Sequence, residues 1–326
     1  MRVCVIGCTG YLGSKISQIL KKKGHEVIGV CRKFPENDKS FKKNFKNIIQ
    51  SDITKKDTIK RILSLKIDSI IYTVSLNHIH SEKNLENSIN ISYLPLVRLC
   101  NAIKNNKKNI KFIYFSTMQV YGNYTNRKII TEETPKEINN IYALTHSLCE
   151  DTLLAMNKND FFNSVSIRLS NGYGSPLLES CDCWWLVVND FCLNALKEKR
   201  INLNSDGSPL RDFIHISDIA NAVNTLILSK KLMPQTLNLA SGNTLSMLDI
   251  ANRVKKISKK ININTVISIK DIEISNMDID KKIKNIKKLK KFRISTSLLS
   301  KFDIKPKLDI NMGIQNTLEE INKNNG

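Results

Sequence analysis

The sequence contains no uninterrupted run of about 18 apolar residues, the length that a membrane-spanning helix needs. The N-terminal stretch MRVCVIGCTGYLGS passes from a short apolar segment directly into glycines, with no cleavage site of the secretory kind. No internal repeat or long linker interrupts the chain. We therefore expect a cytoplasmic protein without a membrane partner, and 326 residues that are 41% hydrophobic suffice for a real core.

The cysteines form no CxxC pair, and no histidine stands at a spacing suited to zinc. Cys181 and Cys183 lie one residue apart without further ligands nearby, which argues against a metal site there. The eight cysteines fall within apolar strand or helix patterns, and we expect reduced, mostly buried thiols and no metal. They occupy positions 4, 8, 31, 100, 149, 181, 183 and 192.

Acidic residues are scarce relative to basic ones, 30 against 51, which gives a formal net charge of +21. The basic residues are spread along the whole chain, and their densest run is KKIKNIKKLKKFR at 281–293. Such a run can be an electrostatic patch for an anionic partner, or a solvated lysine-rich helix or loop. We favour the second interpretation and expect no nucleic-acid partner, although a positive field would suit a phosphorylated small substrate.

Short apolar runs alternate with segments of helical periodicity. The helical segments include GSKISQILKKKG and YLPLVRLCNAIKNN. Repeated strand–helix units predict an α/β fold with a doubly wound parallel sheet of the Rossmann type. The strand segments are RVCVIG, EVIGVC, NIIQSD, DSIIYTV, KFIYFST and SVSIRLS.

This alternation ends near residue 171, where a stretch containing Trp and Pro begins. A further strand is expected within QTLNLAS (235–241), followed by a helix from Ser246. We therefore expect two interleaved domains. The dinucleotide-binding Rossmann domain covers 1–170 plus about 211–240, and the smaller substrate-binding domain covers about 171–210 and 241–326.

Three glycines, Gly7, Gly10 and Gly13, follow the first strand and open the first helix in VIGCTGYLGS. Glycines at this junction permit a tight turn, let the backbone approach a pyrophosphate, and direct the helix N-terminus at negative charge. The segment, including Tyr11 and Leu12, is thus predicted to bind a dinucleotide. A purely structural glycine turn is the alternative.

The end of the second strand helps to choose between NAD and NADP, because an acid there binds the ribose 2′-hydroxyl whereas an arginine accommodates a 2′-phosphate. Here Arg32 and Lys33 follow Cys31, and no acid is present. This favours NADP over NAD, with ordinary exposed basic residues as the alternative. Asp52 and Ile53 follow the third strand, where Asp52 can hold the adenine amino group or cap a turn or helix.

Three further stretches, IYFSTMQVYG (113–122), IYALTHSLCE (141–150) and IRLSNGYGSP (167–176), resemble the extended short-chain dehydrogenase/reductase family. The similarity is to its nucleotide-sugar epimerase/dehydratase branch. It continues through GSPLRDFIHISDIA (207–220) and on to residue 321, so it spans nearly the entire chain.

This resemblance implies roles for individual residues. Thr117 corresponds to the catalytic Ser/Thr, and Tyr142 to the tyrosine that exchanges a proton with the reacting oxygen. Asn90 corresponds to an asparagine in the cofactor-binding domain. Asn171 and Arg211 correspond to residues that contact the diphosphate of the sugar nucleotide, and an Arg211–Asp212 salt bridge is the structural alternative.

Two positions depart from the chemistry of the family's dehydratases. These carry an Asp-Glu pair after the catalytic threonine, where this chain has Met118 and Gln119. Neither side chain acts as an acid or base, so sugar dehydration is disfavoured and Met118 is assigned to substrate binding.

Of Trp184 and Trp185, one could stack on a nucleotide base, although large aromatics at a helix start are more often core.

The resemblance also implies a lysine four residues after Tyr142, where this chain has His146. That lysine holds the nicotinamide ribose and lowers the pKa of the tyrosine. A histidine could still donate to the ribose, but with an ordinary pKa of about 6.5 only roughly a quarter of it is charged at pH 7. We assign His146 to both catalysis and cofactor binding and expect a weaker pull on Tyr142.

A neutral Tyr142 suits reduction of a ketone, so we expect an NADP- or NAD-dependent reductase of nucleotide-linked keto-sugars that serves surface polysaccharide synthesis. The alternatives are an epimerase with tightly bound NAD and a catalytically weakened cofactor-binding protein.

Apolar residues on several faces of the segments at 92–104 and 141–157 match helices that dimerise in this family, so a homodimer is expected.

Overall fold

A computed structural model describes residues 1–36, 38–106, 109–158, 162–270, 272–287 and 292–325. Its strands fall within the apolar runs of the sequence. They are β1 (Arg2–Ile6), β2 (Glu26–Cys31), β3 (Asn47–Gln50), β4 (Ser69–Tyr72), β5 (Ile110–Thr117), β6 (Ile129–Ile130), β7 (Phe162–Leu169), β8 (Asn171–Tyr173), β9 (Arg200–Leu203), β10 (Leu210–His215), β11 (Thr236–Leu239), β12 (Thr244–Ser246), β13 (Val266–Ile269), β14 (Ile272–Glu273) and β15 (Arg293–Ile294).

Helices connect most of these strands, and a π-helical turn at Ile89–Tyr93 and 3-10 turns at Met118–Tyr121 and Tyr124–Asn126 supplement them. The helices are α1 (Tyr11–Lys22), α2 (Lys39–Asn44), α3 (Lys56–Ser64), α4 (His78–Lys83), α5 (Leu85–Ser88), α6 (Leu94–Asn105), α7 (Ile141–Met156), α8 (Val187–Lys197), α9 (Ile216–Leu228), α10 (Met247–Lys260), α11 (Asn276–Lys287), α12 (Ser297–Lys301) and α13 (Ile310–Asn325).

The main sheet has seven parallel strands in the order β11-β7-β5-β4-β1-β2-β3. The chain runs outward from β1 to β3 on one side and then returns to start the other side at β4. The strand order therefore reverses between β1 and β4, where a crevice opens at the carboxyl ends of the strands. The predicted doubly wound parallel sheet is confirmed.

Apolar layers cover both faces of this sheet. One face packs against α1 and α9, and the other packs against α3, α6 and α7. Burial on both faces explains why the strands read as continuous apolar runs and not as alternating ones. Helix α7 thus lies against β5 and β7, which brings the segment at 141–156 to the carboxyl end of β5.

Three smaller sheets, β12-β10-β8, β14-β13-β9 and β15-β6, lie outside the main sheet. A separate apolar cluster joins α8, α10 and α13. The helix predicted from Ser246 is α10, and the Ser246 side chain caps it by accepting the Asp249 N–H. The strand predicted within 235–241 is β11, at the edge of the main sheet. The proposed division into two domains stays a prediction.

All eight cysteines are buried and free, as the sequence predicted. Among the described residues, no helix has the length and apolar character to cross a membrane. The basic run at 281–293 lies partly outside the described residues. Its first part belongs to α11, in which Ile283 and Ile286 are buried while the lysines at 281, 282 and 284 are exposed.

Candidate active site

The glycine loop between β1 and α1 is a tight turn that only glycine fits. Gly7 has φ of +90°, and its N–H donates to the Val30 carbonyl of β2 at 2.9 Å. The Gly10 N–H in turn donates to the Gly7 carbonyl at 2.9 Å. A Cβ on Gly13 would lie 2.2 Å from the Gly7 carbonyl oxygen, so helix and loop pack backbone to backbone.

A cavity of about 400 Å³ opens beside this loop, at the point where the strand order reverses. The carboxyl ends of β1, β2, β3 and β4 form its walls. Its lining residues are Ile6, Gly7, Thr9, Gly10, Val30, Cys31, Arg32, Ser51, Asp52, Ile53, Thr54, Thr73, Val74, Ser75, Leu76 and Ile91.

Of the predicted cofactor-binding residues, five line this cavity: Gly7, Gly10, Arg32, Asp52 and Ile53. The other residues of the glycine loop have different surroundings. The Tyr11 hydroxyl donates to the Gly174 carbonyl at 2.8 Å, and Leu12 packs against the core under α1. Asn90 is exposed on the π-helical turn, and its neighbour Ile91 reaches the cavity instead.

Asp52 combines the two roles that the sequence left open. One carboxylate oxygen accepts the Thr54 N–H at 2.9 Å, which shapes the turn into α3, and the residue also faces the cavity. Arg32 is exposed at the cavity rim. The rim near the end of β2 is therefore positively charged, as expected from the absence of an acid there.

Thr117 and Tyr142 come together at the carboxyl end of β5. Thr117 is the last residue of β5, and a hydrogen bond joins its side chain to Tyr142 on the first turn of α7. The start of this helix is fixed twice. The Asn140 side chain caps it by accepting the Ala143 N–H at 2.7 Å, and Glu82 Oε1 accepts the Tyr142 N–H at 3.2 Å.

His146 lies one helical turn further along α7 and is 2% exposed. Its ring stands edge-on to the Tyr142 ring, with centroids 4.5 Å apart and an interplanar angle of 70°. Its Nδ1 is hydrogen-bonded to the Tyr114 hydroxyl at 2.6 Å. Its Nε2 is buried and has no hydrogen-bond partner among the described residues.

Burial decides the protonation states of this pair. It lowers the pKa of His146 to about 3 and raises the pKa of Tyr142 to about 12, although the Thr117 hydrogen bond acts in the opposite direction on Tyr142. The expectation that a quarter of His146 is charged at pH 7 is therefore wrong, because that value applies to a solvated imidazole. His146 is neutral, and Tyr142 keeps its proton.

The predicted substrate-binding residues hold structural contacts. Asn171 Nδ2 donates to the Asp212 carbonyl at 2.8 Å, and Arg211 donates to the Leu210 carbonyl at 2.9 Å. The Asp212 carboxylate accepts from the N–H and hydroxyl of Ser241, so the alternative of an Arg211–Asp212 salt bridge is wrong. Met118 is buried in a small apolar cluster. Their roles toward a substrate stay predictions.

The two tryptophans have different environments. Trp184 packs against the apolar cluster of α8, α10 and α13. Trp185 is 45% exposed, and its ring meets that of His78 edge-on at 5.4 Å. The interpretation as core therefore fits Trp184 alone.

Sequence reasoning missed three groups that hold the site. Tyr114 contacts His146, Glu82 contacts the Tyr142 backbone, and Ser116 donates to the buried carboxylate of Glu150. The sequence spacing of these residues was a signal for the two contacts between β5 and α7. Tyr114 and Ser116 are two residues apart on a strand, a distance of roughly 6.6 Å, and His146 and Glu150 are four residues apart on a helix, a distance of roughly 6 Å.

Residues 3–240 match the model of the NAD dependent epimerase/dehydratase family. The chain belongs to this family. A UDP-glucose 4-epimerase of Mycoplasma genitalium is 26% identical over 276 residues, which cover 78% of this chain and 81% of that protein.

Solved structures of similar fold include two 4-epimerases of UDP-sugars. The UDP-glucose 4-epimerase of Thermotoga maritima, bound to UDP-glucose, has a TM-score of 0.82 with 18% identity and full coverage of both chains. The UDP-glucuronic acid 4-epimerase of Bacillus cereus, bound to UDP-glucuronic acid and NAD, has a TM-score of 0.79 with 20% identity and 99% coverage of each chain.

The residues of this chain fit the dinucleotide that the family name implies. A Cβ on Gly7 would lie 2.6 Å from Thr73 Oγ1, so only glycine lets the loop pack this closely against the end of β4. Gly7 and Gly10 then line the cavity at the start of α1, where a pyrophosphate would be bound. The cavity continues from this loop to Arg32 and Asp52 at the ends of β2 and β3, where an adenosine ribose and base would be held. Dependence on a nicotinamide dinucleotide is thus supported by the geometry.

Proposed function

We propose that the protein reduces a keto group on a nucleotide-linked sugar, with Tyr142 as the proton donor. The contact that carries this proposal is the one between Tyr142 and His146, since a buried neutral imidazole occupies the position next to the tyrosine. With no cation at that position to stabilise a phenolate, Tyr142 remains an acid at neutral pH.

The direction of the reaction follows from this protonation state. Reduction of a ketone requires an acid that protonates the carbonyl oxygen, whereas oxidation of an alcohol requires a base. A bound nicotinamide cofactor supplies the hydride. Thr117 orients the Tyr142 hydroxyl through their hydrogen bond, and Asn140 and Glu82 fix the helix turn that carries it.

The cofactor is proposed to be NADPH in preference to NADH. Arg32 is exposed at the cavity rim, where a guanidinium can pair with a 2′-phosphate. Replacing Arg32 with alanine should raise the KM for NADPH roughly 10-fold or more and leave that for NADH nearly unchanged. An equal effect on both cofactors would contradict this preference.

The relatives suggest the substrate class. UDP-sugars are named for the Mycoplasma and Thermotoga relatives, so we propose a UDP- or related nucleotide-sugar as substrate. Surface polysaccharide synthesis is the proposed context. Dehydration is disfavoured because Met118 and Gln119 provide no acid–base pair after Thr117.

The test is the consumption of NADPH or NADH in the presence of UDP-4-keto sugars. Wild type should turn over, and Tyr142→Phe should lose about 100-fold or more while still binding cofactor. Tyr72→Phe is the matched control, because it also removes a tyrosine hydroxyl, but one that stands on β4 and has no partner in the described part of the chain. Absence of turnover in wild type and in His146→Lys, despite cofactor binding, would exclude the reductase.

An epimerase is the second candidate, because both the Mycoplasma relative and the Thermotoga structure are named 4-epimerases. An epimerase must alternately remove and return hydride and therefore retains its cofactor. Tightly bound NAD in the purified protein, with interconversion of UDP-sugars and no net consumption of NADPH, would favour this candidate.

We also propose a homodimer, which sedimentation of the purified protein tests.

A further inference from the structure

One ring nitrogen of His146 is already hydrogen-bonded inside the protein, to a side chain from the core of the sheet. The Tyr114 hydroxyl lies 2.6 Å from His146 Nδ1, and both side chains are almost fully buried, at 1% and 2% exposure. Tyr114 stands in the middle of β5, three residues before Thr117. The hydrogen-bond partner of His146 is therefore part of the same strand that carries Thr117.

Because His146 is neutral, one ring nitrogen carries a proton and the other is an acceptor. Two arrangements are possible. In the first, the Tyr114 O–H donates to Nδ1 and the imidazole proton is on Nε2. In the second, Nδ1–H donates to the Tyr114 oxygen, and Nε2 is a bare acceptor.

The surroundings of Tyr114 favour the first arrangement. Burial keeps the pKa of Tyr114 well above its usual value, so its proton is always available for donation. Apart from His146, the group that can hydrogen-bond to its hydroxyl in the described residues is the Cys149 thiol, which itself donates to the Ser92 carbonyl at 3.4 Å. Sulfur is a weak acceptor, whereas an imidazole nitrogen is a strong one. The phenol proton therefore goes to Nδ1.

We propose that Tyr114 is a positioning residue that holds His146 in the Nε2–H tautomer, so that a neutral N–H donor faces the reaction site beside Tyr142. Nε2 is buried without a partner in the described residues, and an unpaired buried donor is destabilising. The group it serves is a hydroxyl of a bound molecule, which belongs either to the cofactor ribose or to the sugar substrate.

The contact is anchored on both elements. Two residues further along β5, Ser116 donates to Glu150, which is four residues after His146 on α7. Glu150 is in turn held by Arg168 of β7 through three contacts of 2.7 to 3.2 Å. Two side-chain hydrogen bonds, Tyr114–His146 and Ser116–Glu150, therefore join β5 to α7. The His146 ring is held by these contacts as well as by its own rotamer preference.

Nitrogen NMR of the cofactor-free protein tests the tautomer directly. In protein labelled with ¹⁵N-histidine, we expect a pyrrole-type signal for Nε2 and a pyridine-type signal for Nδ1 of His146, assigned by comparison with His146→Gln. In Tyr114→Phe, which keeps the ring and removes the hydroxyl, a population with Nδ1–H should appear. Tyr72→Phe should leave both signals unchanged.

The identity of the bound hydroxyl is tested by two separate titrations, with NAD(H) alone and with UDP-glucose alone. One of them should shift the Nε2–H proton of His146, and Tyr114→Phe should weaken that ligand roughly 3- to 10-fold, as expected for one hydrogen bond. An Nδ1–H wild type, a Tyr114→Phe protein with unchanged signals, or two titrations without a shift would each overturn the inference.

This role deepens the proposed function and rests on it for the reaction, but the NMR readout needs no turnover. A reductase that is active but shows His146 with Nδ1–H would retain the proposed function and remove the role of Tyr114. A protein that shows the Nε2–H tautomer but consumes no reduced cofactor would do the reverse. The two failures are therefore distinguishable.

Discussion

The Tyr142 and His146 rings meet edge-on at 4.5 Å in a site where neither group carries a charge at neutral pH. The imidazole is almost fully buried and stays unprotonated, and desolvation of the half-buried phenol raises its pKa to about 12, so that it keeps its proton. This relationship differs from one in which a cation lowers the pKa of the tyrosine. It leads directly to the first prediction, on the pH dependence of the reaction.

Keto-sugar reduction by wild type should be nearly independent of the ionisation of this pair from about pH 6 to pH 10, because both folded pKa values lie outside that range. In His146→Lys, a cation beside Tyr142 should lower the pKa of the phenol. The acid form is then lost at a lower pH, so kcat for reduction should start to decline earlier as the pH rises.

The measurement is kcat against pH for both proteins at saturating cofactor. His80→Lys is the matched control, since His80 is exposed on α4, and it should give the wild-type profile. An unchanged profile in His146→Lys would show that position 146 does not act on Tyr142.

Most of the fold follows from the sequence, for a physical reason. Strands buried on both faces are continuous apolar runs, and a glycine loop after the first run marks the dinucleotide site. The proximity of Thr117 and Tyr142 was likewise implied by the family resemblance. Family membership is recognised from motifs along the chain, and each motif is a short local pattern that is visible in the sequence.

What the sequence could not provide are the contacts between elements. Tyr114 is one of several aromatic and apolar residues in KFIYFST, and only the packing of β5 against α7 selects it as the partner of His146. The predicted charge state of His146 was wrong for the same reason. A reference pKa contains no information on burial, and burial is decided by the whole fold.

The Arg168–Glu150 pair should be important for stability. Both side chains are almost fully buried, and Arg168 Nη2 lies 2.7 Å from Glu150 Oε2. Arg168→Met removes the closest ionic partner of the buried carboxylate and leaves it the Ser116 hydrogen bond and Lys136 at 4.0 Å, which should lower the free energy of unfolding by about 3 kcal/mol. Adding Glu150→Gln to this variant should recover part of the loss.

Urea unfolding followed by circular dichroism measures this effect. Arg2→Met is the matched control, because its ion pair with Glu26 is of similar length, 2.9 Å, but exposed. Its loss should cost at most about 1 kcal/mol. Equal losses in Arg168→Met and Arg2→Met would contradict the assignment of Arg168 as a structural anchor.

The glycine loop should be intolerant of a single methyl group at Gly13. A Cβ there would meet the Gly7 carbonyl at 2.2 Å, and the clash involves backbone that cannot move aside. Gly13→Ala should destabilise the protein by about 1 to 3 kcal/mol and weaken cofactor binding, because the loop must shift. Thermal unfolding and a cofactor titration measure the two effects.

Gly24→Ala separates crowding from backbone strain. Gly24 has φ of +85°, close to that of Gly7, but no atom of the described residues, its two chain neighbours aside, lies within 4 Å of a Cβ at this position. This variant should lose about 1 kcal/mol from strain alone and bind cofactor like wild type. Weakened cofactor binding in Gly24→Ala, or normal binding in Gly13→Ala, would be inconsistent with the close packing of loop and helix.

Buried neutral histidines should make the protein sensitive to mild acid. Burial lowers the pKa of His146 to about 3 and that of His215 to about 4, whereas both rise to about 6.5 on unfolding. Below pH 6.5 the unfolded chain therefore binds more protons than the folded protein, and stability falls as the pH falls. Each histidine should contribute about 1.4 kcal/mol per pH unit, down to its folded pKa.

His215→Gln removes one of these contributions and leaves the Tyr142 site unchanged. The free energy of unfolding, measured by urea titration at about pH 7, 6 and 5, should therefore decline less steeply in this variant than in wild type, by up to about 1.4 kcal/mol per pH unit. His78→Gln, at an exposed position, should follow the wild-type slope. Parallel curves for wild type and His215→Gln would mean that folding leaves the pKa of His215 unchanged and would contradict its lowering by burial.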